Sequence, residues 1–111
     1  MSLSRLEEMT LRIMYSILNT LYSHGVKNRL LALTRKEIQE IMDAEGEKWN
    51  ERTLYNRLRE LEENQYIGIG MKRSNAKTFF INQKGIAWMK EIETEGMEIE
   101  TERTEAENES E

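Results

Sequence analysis

Three polar side chains that can bond to base edges recur at helical spacing in the middle of the chain. Arg52, Asn56 and Arg59 lie at i, i+4 and i+7, so they share one stripe if residues 50–64 form a helix. Arginine can donate two hydrogen bonds to guanine, and asparagine can bond adenine through two atoms. The stripe is therefore a candidate for reading bases in the major groove of duplex DNA.

A second cluster of cations follows in a short polar turn, Lys72-Arg73-Ser74-Asn75-Ala76-Lys77. The turn separates two runs rich in β-forming residues, so it predicts a hairpin tip that can contact backbone phosphates or the minor groove. The predicted DNA-binding residues come from the starts of two helices and from this tip. They are Arg35, Lys36, Arg52, Thr53, Tyr55, Asn56, Arg57, Arg59, Lys72, Arg73 and Lys77.

Part of this set is also compatible with plainer roles. Glu60 and Glu63 lie at the edges of the stripe and would weaken its attraction for phosphate, as on an ordinary solvated helix face. Arg57 projects toward the edge of the core, so we expect it to bond a backbone phosphate or a neighbouring carboxylate rather than a base. Packing of Tyr55 against the hairpin is as compatible with the sequence as a hydroxyl contact to phosphate.

The formal charge of −5 is distributed unevenly along the 111 residues. Residues 1–90 carry 15 Lys and Arg against 11 Asp and Glu, a net +4, whereas residues 91–111 carry one Arg and 10 Glu, a net −9. The acidic balance therefore belongs to the C-terminal segment and does not argue against a nucleic-acid partner for the rest. We expect residues 1–92 to form one domain and residues 93–111 to form an acidic, disordered tail.

Capping residues and hydrophobic periodicity predict the elements that position these side chains. Short strands are expected at residues 30–33, 66–71 and 78–81, the last two forming the hairpin. The order of helix, strand, helix, helix, hairpin and helix predicts a mainly α fold with a small β-hairpin, of the α+β class. This is a winged helix-turn-helix with an extended N-terminal helix and a C-terminal helix. Helices are expected over residues 4–24, 34–44, 50–64 and 82–92, with N-caps at Ser4, Thr34, Asn50 and Asn82.

The first predicted helix carries two apolar stripes instead of one. Leu6, Met9, Ile13, Ile17 and Leu21 form one stripe, and Leu11, Tyr15, Leu18 and Tyr22 form the other. Such a helix is either covered by its own chain on both sides or also meets a partner. We favour the partner and predict a homodimer with an interface of Leu11, Tyr15, Leu18, Tyr22, Trp88 and Ile92.

No constellation of residues indicates catalysis or metal binding. The sequence has no cysteine, and its single histidine, His24, has no second imidazole with which to share a metal ion. It also has no glycine-rich phosphate loop and no catalytic triad, so we expect neither enzyme activity nor a cofactor. No apolar run approaches the ~18 residues of a membrane span, and no secretory signal is visible, so we expect a cytoplasmic protein.

The helix predicted over residues 50–64, which carries the stripe of Arg52, Asn56 and Arg59, resembles the recognition helix of PadR-type winged-helix regulators. In that family a Thr-Leu-Tyr triplet opens the helix and a Leu-Glu pair precedes an apolar strand, as in Thr53-Leu54-Tyr55, Leu61-Glu62 and Tyr66-Ile67. Residues 77–85 resemble the wing strand and following helix start of the same family and, less closely, of MarR-type relatives. The resemblance covers residues 34–90.

This resemblance implies a homodimer that binds a palindromic double-stranded DNA site and usually represses transcription. Winged helices also serve as partition or replication adaptors of plasmids and phages. Others are protein-interaction modules that do not touch DNA, and the fold alone does not choose among these functions.

Overall fold

Four helices and a three-stranded sheet make up residues 4–95, the part of the chain that the computed structural model describes. The architecture is the predicted winged helix of the α+β class, with the antiparallel strand order β1-β3-β2. Among these residues, no helix has both the length and the apolar character needed to cross a membrane. The elements are α1 (Arg5–Ser23), β1 (Leu33–Thr34), α2 (Arg35–Ala44), α3 (Glu51–Glu63), β2 (Ile67–Ile69) and β3 (Thr78–Ile81), followed by α4 over residues 83–95.

Polar side chains cap the four helices at the predicted residues. At the start of α2, Thr34 Oγ1 accepts a hydrogen bond from the Glu37 amide, and the Glu37 carboxylate accepts one from the Thr34 amide. This reciprocal capping box satisfies two backbone N–H groups that the helix leaves unpaired. At the other three helices a side-chain oxygen accepts the amide three residues further on, and these caps are Ser4, Asn50 and Asn82.

One apolar core joins the helices to the sheet. In α3 the predicted stripe of Leu54, Leu58 and Leu61 is fully buried, so the opposite face of this helix points away from the core. Burial of each leucine contributes about 1.5–3 kcal/mol, which fixes the rotation of α3 about its axis. The remaining large side chains that are fully buried are Ile17, Leu18, Leu21, Ile38, Met42, Ile81 and Met89.

The strand predicted at residues 30–33 is wrong at its start, because β1 begins only at Leu33. Leu30 and Leu31 are 74% and 51% exposed. The Asn28 side chain accepts a hydrogen bond from the Leu31 amide at 2.9 Å, which holds this stretch in a turn. β1 then pairs with β3, so the sheet has three strands and extends the predicted hairpin by one.

β2 and β3 form the predicted hairpin, and we call the excursion between them, residues 70–77, the wing. At its tip Arg73 and Ala76 form an isolated antiparallel β-bridge. Ser74 and Asn75, which lie between them, adopt φ angles of 49° and 66°. Positive φ at both central residues is typical of the tight turns that match the twist of a hairpin. At the base of the wing, a Cβ added to Gly70 would collide with the Ala32 Cβ, so the close packing at this position requires a glycine.

A hydrogen bond joins the first and last helices. Tyr15 of α1 donates to Glu93 Oε1 of α4 at 2.7 Å. Burial, and then the hydrogen bond and charge of Glu93, raise the pKa of Tyr15 to about 12. Glu93 follows the expected domain boundary at residue 92, and α4 includes residues up to 95. The remainder of the predicted acidic tail, residues 96–111, lies outside the described residues.

Replacing Tyr15 by phenylalanine should lower the free energy of unfolding by about 1 kcal/mol near neutral pH, because one hydrogen bond is lost. The pKa of Tyr15 is higher in the folded chain than its usual 10.0, so the contribution is complete below about pH 10 and is lost toward pH 12. Urea unfolding across this range should therefore show the difference between the two proteins shrinking. Tyr22→Phe is the control, and a difference that stays constant with pH would contradict this account.

Candidate nucleic-acid interface

The outer face of α3 presents the predicted reading stripe to the surface. Arg52 and Arg59 are exposed and Asn56 is partly exposed. Tyr55 lies on the same helix with 54% of its surface exposed. Thr53 is partly exposed, and its backbone amide donates a hydrogen bond to the Asn50 side chain that caps the helix. The side chains that can reach base edges therefore lie together on the face that the buried leucines leave outside.

A cleft of about 380 Å³ separates α3 from the wing and the start of α2, and we call it the basic cleft. Its apolar lining includes Leu58 and Phe79. Cations from three elements line it as well, so α2, α3 and the wing contribute to one continuous surface. These cations are Arg35, Lys36, Arg59 and Lys77.

Two ion pairs hold the wing against the helices. Lys77 Nζ lies 2.6 Å from Glu62 Oε1 of α3, and Arg73 pairs with Glu37 of α2. The pKa of Glu37 is lowered, first by the hydrogen bond from the Thr34 amide and further by Arg73, so the carboxylate stays ionised opposite the wing. Sequence reasoning missed both pairs, because their partners are 15 and 36 residues apart along the chain.

Two more ion pairs restrain cations of the helices. Arg59 lies 3.1 Å from Glu63 within α3, and Arg35 lies 2.7 Å from Glu51 across the α2–α3 junction. Exposed pairs of this kind contribute roughly 0–1 kcal/mol, so a phosphate can compete for these cations at small cost. Within residues 4–95, the cations of the predicted set that make no ion pair are Lys36, Arg52 and Lys72.

Arg57 lies away from the exposed stripe and joins α3 to α1. Its side chain is 19% exposed, donates to Thr10 Oγ1 at 3.0 Å, and lies 2.8 Å from Glu60 Oε1. Of the two roles expected for Arg57, the structure shows the contact with a neighbouring carboxylate. Glu60, three residues further on, was a signal for this pair, whereas nothing in the sequence pointed to Thr10.

The predicted dimer residues fall into two groups. Leu18 is fully buried in the core, while Tyr15 and Tyr22 pack against it, so the chain covers this side of α1 itself. The other group lies at or near the surface, where Leu11 and Trp88 line an apolar groove together with Leu6, Glu7, Thr10 and Met14, and Ile92 is partly exposed on α4. Leu6 and Met9, expected on the first apolar stripe, are both more than half exposed.

Substitution of Arg57 by alanine should destabilise the fold by about 2 kcal/mol, because it removes the charge-assisted bond from α3 to Thr10 of α1 and the ion pair with Glu60 within α3. Arg52→Ala is the matched control on the same helix and should leave the free energy of unfolding unchanged to within about 0.5 kcal/mol. Chemical denaturation of both variants measures the difference. Equal stability of the two variants would contradict the assigned role of Arg57.

Two solved structures share this fold. A transcriptional regulator from Clostridium thermocellum superposes with a TM-score of 0.64 over 93% of this chain and 95% of that chain, at 22% sequence identity. The DNA-binding TubR fragment from Clostridium botulinum gives a TM-score of 0.55 over 83% of this chain and 99% of that chain, at 25% identity. No protein-family model and no curated protein matches the chain. The comparisons therefore agree with the winged-helix fold described above.

Proposed function

We propose that this protein binds specific double-stranded DNA sites as a homodimer and regulates transcription without enzymatic activity. The observation that carries the proposal is the shared surface of α2, α3 and the wing. Cations from all three elements line the basic cleft, and the reading stripe of α3 lies on the exposed face beside it. A helix flanked by a basic hairpin fits the major groove while the hairpin reaches the adjacent phosphates or minor groove.

In the proposed complex, Arg52, Asn56 and Arg59 face base edges, while Lys36 and the wing cations contact phosphates. Lys77 and Arg59 would exchange their glutamate partners for the DNA. Lys36, Arg52 and Lys72 make no ion pair within the described part of the chain, so they reach DNA without that exchange. Arg57 supports the reading helix from behind through its bonds to α1 and Glu60.

The comparisons support this function because one similar structure is described as a transcriptional regulator and the other as a DNA-binding fragment. The Thr53-Leu54-Tyr55 opening of α3 adds the resemblance to PadR-type regulators, which points to repression. A winged-helix adaptor for plasmid or phage partition would use the same DNA-binding surface, so the two functions differ in the arrangement of their sites.

The proposed dimer is formed through the groove beside the first turns of α1. Leu6 is 75% exposed there, and the groove is lined by Leu11 and Trp88 from the predicted interface. Exposed apolar side chains grouped on one helix end commonly mark an interaction surface. A two-fold axis through this region would place the two reading helices on one palindromic site.

Binding to random duplex should weaken steeply with salt, with a log–log slope of about −0.9 for each phosphate contacted. Lys77→Ala should weaken binding to all sequences and reduce the slope by about one, whereas Arg52→Ala should cost roughly 1–3 kcal/mol on the preferred site and relax base preference. Lys90→Ala on α4 removes the same charge elsewhere and is the control. If all three variants bind alike, the assigned face is wrong.

Selection of bound sequences from a random duplex pool should enrich an inverted repeat with half-sites about 34 Å apart or a multiple of it. Tandem repeats would favour the partition adaptor, and no enrichment would favour a protein-interaction module.

Sedimentation at micromolar concentration should give the mass of two chains, and Leu6→Ser should reduce this mass. Arg12→Ser is the control on the same helix, and a single-chain mass for the unaltered protein would contradict the dimer.

A further inference from the structure

A second exposed apolar surface lies beside the wing, away from the groove on α1. Leu30, Leu31 and Met71 are 74%, 51% and 59% exposed. We call these three residues the wing-base patch. They belong to two chain segments that hydrogen bonds hold together, because the Met71 amide donates to the Arg29 carbonyl at 3.2 Å and Arg73 donates to the Ala32 carbonyl at 3.2 Å.

The two segments that carry the patch are strongly basic. Residues 27–32 and 70–73 contain four cations and no aspartate or glutamate. Only Arg73 among these cations has a carboxylate partner in the described part of the chain, namely Glu37. The fitting ligand is therefore a peptide that alternates apolar and acidic side chains. The four cations are Lys27, Arg29, Lys72 and Arg73.

The chain itself contains such a segment directly after the last described residue. Residues 95–102 read Glu-Gly-Met-Glu-Ile-Glu-Thr-Glu. In an extended conformation, alternate side chains point to opposite sides, so Met97 and Ile99 share one side while Glu98 and Glu100 share the other. This spacing can place two apolar side chains on a patch, while the carboxylates on the other side face solvent and bring negative charge close to the surrounding cations.

We propose that residues 96–102 dock on the wing-base patch, with Met97 and Ile99 against its apolar side chains. Glu98 and Glu100 then face solvent, and the negative charge of the segment attracts the cations beside the patch, Arg29 and Lys72 among them. Residues 96–102 hold three glutamates and no cation, so charge complementarity adds to the apolar contact. The proposal does not depend on DNA binding, although the docked segment would neutralise part of the charge next to the wing.

Charge selects this occupant over the alternatives. The groove on α1 is also apolar, but Glu7 lines it, so an acidic segment meets a like charge there. A second copy of the wing-base patch would bring two sets of four cations together, which is unfavourable for the same reason. The acidic segment of this chain brings the opposite charge and the apolar side chains together.

Disulfide trapping in the full-length protein tests the docking, because the sequence has no cysteine and two introduced thiols are its only ones. Under mild oxidation, Leu31→Cys with Ile99→Cys should cross-link several-fold faster than Leu6→Cys with Ile99→Cys, although Leu6 on the α1 side is the more exposed of the two leucines. A disulfide requires the two Cα atoms to approach within about 7 Å, so the comparison reports position. A disulfide within one chain shows that the segment docks on its own chain, and a disulfide between two chains shows that it docks on a second copy. Either product supports the docking of residues 96–102 on the wing-base patch.

Charge reversal and a methyl signal provide independent readouts. Glu98→Lys with Glu100→Lys should slow the Leu31–Ile99 cross-link, and added salt should do the same. In the cysteine-free chain, Met97→Ser with Ile99→Ser should shift the methyl resonance of Met71 but not that of Met9. Equal rates for the two cysteine pairs, an unshifted Met71 signal, or faster cross-linking of the Leu31→Cys variant to itself would overturn the proposal.

Discussion

Burial of three leucines on one face of α3 determines which side chains the protein can offer to a ligand. Leu54, Leu58 and Leu61 are enclosed by the core, and any rotation of the helix would expose them to water at a cost of several kcal/mol. With 3.6 residues per turn, this burial leaves Arg52 and Arg59 outside. The proposed reading stripe is therefore positioned by the core behind it, and Arg57 adds a polar connection between α3 and α1.

The wing depends on a second kind of constraint. Its strands are fixed by the sheet register, in which Ile69 lies opposite Phe79, but its long cations are oriented by glutamates on two helices. Lys77 and Arg73 are held by Glu62 and Glu37. These pairs keep the wing beside the basic cleft and moderate its positive charge. In the proposed DNA complex, a phosphate would replace Glu62 as the partner of Lys77, whose side chain lines the cleft.

Local signals were sufficient to predict the elements but not their long-range contacts. The capping box of Thr34 and Glu37 and the leucine period of α3 act within one or two turns, so sequence reasoning found them. The run at residues 30–33 misled the prediction, since four consecutive apolar residues are typical of a buried strand. In the structure the Asn28 turn leaves Leu30 and Leu31 outside.

The same limit explains the mixed outcome for the candidate sites. The face of α3 followed from periodicity alone, whereas the wing ion pairs depend on how the hairpin packs against α2 and α3. For α1, the two apolar stripes did not reveal that the chain covers both stripes in the later turns of the helix and leaves the first turns more open. The structure buries Ile13, Ile17, Leu18 and Leu21 in the later turns of the helix and leaves Leu6 and Met9 of the first turns exposed.

Chemical-shift mapping of the full-length protein with a duplex that carries its selected site tests the central claim most directly. We expect the largest amide shifts at Arg52, Asn56 and residues 72–77, while the first turns of α1 remain unchanged apart from dimer effects present before the DNA is added. Perturbations confined to α1 or α4, or no perturbation at low salt, would contradict the claim that α3 and the wing form a DNA-reading surface.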